Sequence, residues 1–195
     1  MRLLLTCILA GVLAQGSPLS QQKAQVFREK IAAVLARGEA APARPVAPAR
    51  TVLAEDEINS YFQFHAADVA PEGVAEPRVS LGAAGHVVGR AIVDLDAVRR
   101  TRSTGGWFDP RSYLTGRLPV VVSGTVMGEK GQARFALERA EVSGVPVPKS
   151  VLQELVSYYT RSELFPDGVD LDAPFPMPAR IERLIVQRGE AVVVQ

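Results

Sequence analysis

The stretch LPVVVSGTVMGEKGQARFALERAEVSGVPVP, residues 118–148, decides the fold of this chain. Apolar residues recur on both sides of a turn-forming segment, Gly128–Gly131, and this arrangement predicts two antiparallel strands joined in a hairpin. We expect the strands over Leu118–Met127 and Gln132–Val145. The hairpin is the longest strand signal in the sequence, so the rest of the fold is predicted around it.

The predicted strands have one dry face and one wet face. In the second strand Phe135 and Leu137 alternate with charged residues. Upstream, residues 78–98 predict two further strands around a turn at 82–85. One face of the second of these strands carries Gly89, Ala91, Val93 and Leu95. The sheet is therefore predicted to be antiparallel, with an apolar side that other elements can cover.

Three segments have the spacing of amphipathic helices. After the hairpin, a Ser-x-x-Gln capping box at Ser150 and Gln153 begins a helix that places Leu152, Leu155 and Tyr159 on one stripe. Residues 51–64 begin extended and continue as a helix with acids in its first turn. A further helix is predicted to begin at Ser17-Pro18 and to end at Gly38. We therefore predict an α+β fold, in which a twisted antiparallel sheet has helices packed on one side.

The N-terminal sixteen residues, MRLLLTCILAGVLAQG, have the layout of a secretory signal peptide. We expect a periplasmic or secreted protein. The predicted division of the chain is a signal peptide at 1–16, an amphipathic helix at 17–37, an Ala/Pro-rich linker at 38–50 and an α+β domain at 51–195. Cleavage would remove Cys7, the only cysteine, so the mature chain would have no disulfide and no thiolate.

The charge balance argues against nucleic acid as a partner. Without Arg2, 21 basic residues face 21 acidic ones, since the signal peptide contains no Asp or Glu. Binding to nucleic acid requires a clustered basic surplus. A near-neutral chain is compatible with an apolar ligand.

Motifs for catalysis are absent from the sequence. It contains no Gly-x-Ser-x-Gly, no His-Glu-x-x-His and only two histidines, His65 and His86. We therefore assign no catalytic residue, no cofactor and no metal site, and predict a non-enzymatic protein. The acidic loop that contains Asp167, Asp170 and Asp172 remains open between a calcium site and a plain solvated loop.

A basic and aromatic segment offers a second candidate site. Arg99, Arg100 and Arg102 lie close to Trp107 in the sequence. Arginines beside an interfacial aromatic residue are typical of a patch for anionic lipid head groups at a membrane surface. The alternative is a solvated loop that Trp107 anchors to the core.

Three segments carry a resemblance to a known family. EINSYF (57–62), GVPVPKSVLQEL (144–155) and PARIERLIVQRGEAVVV (178–194) occur in this order within residues 51–195. This region resembles the small bacterial tubular lipid-binding (TULIP-like) envelope proteins of the LmeA and YceB sort. The resemblance implies a half-barrel sheet around a helix and a lipid or other apolar small molecule between them.

We expect the ligand to lie in an apolar groove between the sheet and the helices. The groove would be lined by Phe62, Val93, Leu95, Val122, Phe135, Leu137, Leu152, Leu155 and Tyr159. Two alternatives remain open. One is a periplasmic protein-interaction or structural module whose core is filled by its own side chains. The other is an unrecognised hydrolase in which His65 or a pair of acids faces a pocket.

Overall fold

The computed structural model describes residues 18–40, 47–70, 73–94, 96, 116–160, 167–168 and 170–195. The helices are α1 Gln21–Glu39, α2 Glu55–Val69 and α3 Lys149–Thr160. The strands are β1 Arg50–Ala54, β2 Val74–Leu81, β3 His86–Asp94, β4 Arg117–Glu129, β5 Gln132–Val142, β6 Val145–Pro146, β7 Phe175–Pro176, β8 Arg183–Gln187 and β9 Glu190–Val194. Within these residues, none of the helices has the length and apolarity needed to cross a bilayer.

The strands of the described residues belong to one curled antiparallel sheet, which confirms the predicted α+β class. The sheet has two parts. The long-strand unit is β2–β3–β4–β5, and the short-strand unit is β1–β9–β8. They meet where Gly128 of β4 pairs with Leu184 of β8. β3 begins at His86, opposite Thr125, so the same edge of β4 becomes free for β8 a few residues further on.

Two tight turns set the ends of β5. Lys130–Gly131 has φ of 53° and 76°, the pair of positive angles that two-residue hairpin turns of type I′ require. Ser143–Gly144 repeats this geometry with φ of 53° and 79°. The chain therefore reverses after Val142, and the predicted continuation of this strand to Val145 is wrong. Val145 instead begins β6, which pairs back onto the end of β5.

Helices α1 and α2 cover one face of the short-strand unit, which we call the inner face. Val34 of α1 is 3% exposed and packs in one cluster with sheet residues. Alternation along β1, β8 and β9 sends one side chain in two to this cluster. Its buried members are Val34, Leu53, Leu81, Val186, Ala191 and Val193, and Phe27, Ile31 and Ile58 of the two helices pack against them.

The two helices are fixed to each other at a buried serine. Ser60 of α2 is fully buried. Its hydroxyl donates to the carbonyl of Asp56 at 2.6 Å and accepts from the backbone N–H of Ser20 at 3.2 Å. Ser20 also caps α1, because its Oγ accepts from the N–H of Lys23. The helix begins at Gln21 rather than at Ser17-Pro18 as predicted.

An asparagine of α2 closes the outer edge of β2. The Asn59 amide donates to the carbonyl of Val79 at 2.7 Å, and its Oδ1 accepts from the Val79 N–H at 2.8 Å. Asn59 thereby makes the two hydrogen bonds that a neighbouring strand would make. It is 8% exposed, and Arg78 donates to its carbonyl. This side chain orients α2 along the sheet.

Candidate functional site

The inner face of the long-strand unit is apolar at every position of its three longest strands. The register places Val93 opposite Leu118, Val122 opposite Ala140 and Phe135 opposite Val126. Residues that face each other across antiparallel strands share a face. We call these positions the open face: Val87, Gly89, Ala91 and Val93 of β3; Leu118, Val120, Val122, Gly124, Val126 and Gly128 of β4; and Ala133, Phe135, Leu137, Ala140 and Val142 of β5.

The larger side chains of the open face are only half-buried. Leu118, Val122 and Phe135 all remain partly exposed, in contrast to Leu53 at 7% and Val193 at 5% in the short-strand unit. The fully buried positions of the open face are small residues, such as Ala133 and Ala140. The same apolar alternation is thus covered in one unit and left partly uncovered in the other.

Glycines give the middle of the open face its shape. A Cβ at Gly89 would meet only the Val122 carbonyl oxygen, at 3.9 Å, among the described residues. A Cβ at Gly124 would lie 2.6 Å from Cζ of Phe135 and 2.4 Å from the carbonyl oxygen of Ala136. The Phe135 ring therefore lies close against β4 at Gly124, with its Cζ and Cε2 atoms nearest to the glycine. The surface near Gly89 is low and unoccupied by neighbouring side chains of the described residues.

Helices lie at both borders of the open face. α2 packs along β2, and α3 contacts β5. Phe62 of α2 and Leu152 of α3, both predicted to line the groove, are half-buried. Four other predicted groove residues lie on the open face itself, namely Val93, Val122, Phe135 and Leu137.

Several predicted site residues lie outside the described residues. They are Leu95 of the groove and the head-group patch of Arg99, Arg100, Arg102 and Trp107. Leu155 and Tyr159 belong to α3, but their side chains are also outside the described part. The head-group patch stays a prediction.

The two histidines of the chain lie away from the open face. His65 stacks on Tyr61 within α2, with ring centroids 5.1 Å apart. His86 is on the opposite, outer face, where its Nε2 lies 3.5 Å from a Glu138 oxygen. Thr125 donates to the other oxygen of Glu138 at 2.6 Å. The open face itself offers only hydrocarbon surface, and its chemistry is the burial of apolar groups.

The acidic loop is arranged around a lysine. Asp172 pairs with Lys149 of α3 at 2.5 Å, and the Asp172 N–H donates to Asp170. The N–H of Leu171 donates to Oε1 of Gln153, which ties the loop to α3. Across the described part of the chain, no group of three or more His, Cys, Asp and Glu side chains is placed to hold a metal ion.

A second concavity, missed by the sequence analysis, lies where the two units of the sheet meet. It is an open groove of about 620 Å³, and none of the predicted groove residues whose side chains the structure describes lines it. It depends on the pairing of β4 with β8, and a long-range pairing of this kind has no local sequence signal. Its lining residues are Ala84, Gly85, Val126, Met127, Gly128, Glu129, Gln132, Ala133, Arg134, Pro174, Arg183, Leu184, Ile185 and Val186.

Comparisons with known proteins find one weak structural similarity and no sequence match. No protein-family model matches the chain, and no curated protein matches it. Among solved structures it is similar to one titled "Crystal structure of lipopolysaccharide binding protein", at 13% sequence identity and a TM-score of 0.23. The match covers 75% of this chain and 40% of that chain. A TM-score this low carries no weight for fold or function.

Proposed function

We propose that this protein is an exported, non-enzymatic binder of a lipid or another extended apolar ligand, which lies on the open face between α2 and α3. One observation carries the proposal. The inner-face positions of β3, β4 and β5 are all apolar, yet the large side chains among them remain half-buried. A contiguous apolar surface that is left partly uncovered is a common feature of ligand-binding sites.

The dimensions of the open face favour an extended ligand. From Leu118 to Val126 the strand runs about 27 Å, at about 3.4 Å per residue. An acyl chain laid along β4 would gain up to about 0.8 kcal/mol for each methylene that it buries. A 14-carbon chain would thus gain up to roughly 11 kcal/mol before the entropic costs of binding are subtracted. Binding of this kind needs no catalytic group.

The first test of the proposal is whether the purified protein retains a lipid from the cells in which it was made. Native mass spectrometry after gentle purification should show the chain with a bound lipid. The same spectra give the mass of the mature chain, which should lack residues 1–16 if the signal peptide is removed. Repeated preparations that contain only ligand-free protein would favour the alternative, a protein-interaction module with no small ligand.

A matched pair of substitutions tests the position of the ligand. Val122 and Val121 are neighbours on β4, both half-buried, with side chains on opposite faces. Val122→Glu places a charge on the open face and should abolish lipid retention. Val121→Glu lies on the outer face beside Arg90 and should retain it. Equal retention by both folded variants would show that the ligand is bound elsewhere.

A further inference from the structure

The groove at the junction of the two units is lined in part by apolar side chains of the outer face of the sheet, and Val126, Gly128 and Ala133 at the end of the open face also contribute to its lining. Because Gly128 pairs with Leu184, the register places Met127 beside Ile185, and Met127 lies opposite Arg134 on β5. These side chains point away from the open face, since residues alternate along a strand. Met127 is 50% exposed, and Ile185 is half-buried. This part of the lining is thus partly exposed hydrocarbon.

Two exposed arginines line this groove, and their guanidinium groups are available to bind a ligand. Arg134 and Arg183 both line it and are both exposed. Within the described part of the chain, neither side chain has a hydrogen bond or an ion pair. Arg139, further along β5, is different because it pairs with Glu141. Among the described residues that line the groove, Glu129 is the one acid, so the two arginines leave this part of the lining with a net positive charge.

We propose that this groove is a second binding site for an amphiphilic anion, separate from the middle of the open face between α2 and α3. The ligand carries a carboxylate or a phosphate monoester on a short hydrocarbon tail. Its tail lies on Met127 and Ile185, and its head group is held by Arg134 and Arg183. Guanidinium groups bind both kinds of head group with paired hydrogen bonds. A volume of about 620 Å³ is in the usual range for small-molecule sites.

The methyl group of Met127 provides a direct reporter. The sequence contains three methionines, Met1, Met127 and Met177, so methyl-labelled protein gives a simple spectrum that Met177→Leu helps to assign. Titration with decanoate or decyl phosphate should shift the Met127 signal saturably. Decanol, which lacks the charge, should bind about threefold to tenfold more weakly, as expected for two exposed ion pairs. The stronger of the two anions identifies the head group.

Matched variants decide between the groove and other sites. In R134A/R183A the affinity for decanoate should fall to the level of decanol, whereas Arg139→Ala should leave it unchanged. Val122→Glu should also leave the Met127 response intact, because Val122 is not among the residues that line the groove. An unmoved Met127 signal, equal affinities for decanoate and decanol, or loss of the response in Val122→Glu would each overturn the proposal.

Discussion

The two units of the sheet have the same strand pattern and different cover. In the short-strand unit, α1 and α2 bury Leu53 and Val193 almost completely. In the long-strand unit, equally apolar positions such as Val122 and Leu137 remain half-buried. The alternation of apolar residues therefore specifies which face is dry, whereas the placement of the helices decides whether that face becomes core or binding surface.

The largest effect should come from the buried unit. Leu53→Ala removes a side chain that is 7% exposed and should lower the free energy of unfolding by about 2–4 kcal/mol. Leu137→Ala on the open face should cost less, about 1–2 kcal/mol, because its side chain is already partly hydrated. Urea denaturation measures both values. Equal losses would mean that the open face is as well packed as the core.

The joint between the units should be the next most sensitive position. A Cβ at Gly128 would lie 2.7 Å from Cβ of Leu184, which belongs to the adjacent strand and has little freedom to move. Gly128→Ala should therefore cost about 1–3 kcal/mol by overpacking. Gly89→Ala is the matched control, since its Cβ meets ordinary contact distances, and should change stability by less than about 0.5 kcal/mol. A neutral Gly128→Ala would show that the units can shift without loss.

Loss of the asparagine at the sheet edge should have a smaller effect. Asn59→Ala leaves the N–H and the carbonyl of Val79 without their partner and should cost about 1–2 kcal/mol, since water can still reach this edge. The exchange rate of the Val79 amide proton should rise by about tenfold. Asn59→Asp retains the acceptor for this N–H and should protect it better than alanine does. Unchanged exchange in Asn59→Ala would refute the edge-sealing role.

The smallest effect is expected at the surface of the helix pair. Lys23 contacts Asp56 at 2.8 Å, with both side chains about one-third exposed. Lys23→Gln should cost only about 0.2–1 kcal/mol, and the difference should vanish in 1 M salt. Thermal unfolding at low and high salt measures this. A loss that persists in high salt would point to packing by the lysine stem rather than to its charge.

Local patterns predicted most of the elements. Alternation identified the β4–β5 hairpin and the pair β2–β3, and helical spacing identified α1, α2 and α3 of the described residues, although α1 begins at Gln21. The end of β5 was misplaced because Ser143–Gly144 was treated as strand, despite being a dipeptide that favours tight turns. Short strands such as β7 gave no recognisable pattern.

Long-range pairing could not be predicted in the same way. The extended Val52-Leu53 segment was expected, but its pairing with β9 depends on residues far along the chain. The contact of Gly128 with Leu184 is a single bridge, and it creates the second groove. Shared faces were predictable, and Val93, Val122, Phe135 and Leu137 lie together. The extent to which the helices cover the inner face of the sheet was not predictable, because it depends on where α2 and α3 pack.

The asparagine of α2 that covers the edge of β2 also affects how one molecule associates with another in a concentrated solution. A free strand edge is a template on which another chain can add, and such growth leads to fibres. The risk of such growth is greater for a protein whose adjoining strands keep apolar surface accessible. Because Asn59 already bonds to the N–H and the carbonyl of Val79, a strand of another molecule cannot form hydrogen bonds with these groups. The fold can thus keep the apolar open face accessible while the edge of β2 at Val79 resists pairing with another strand.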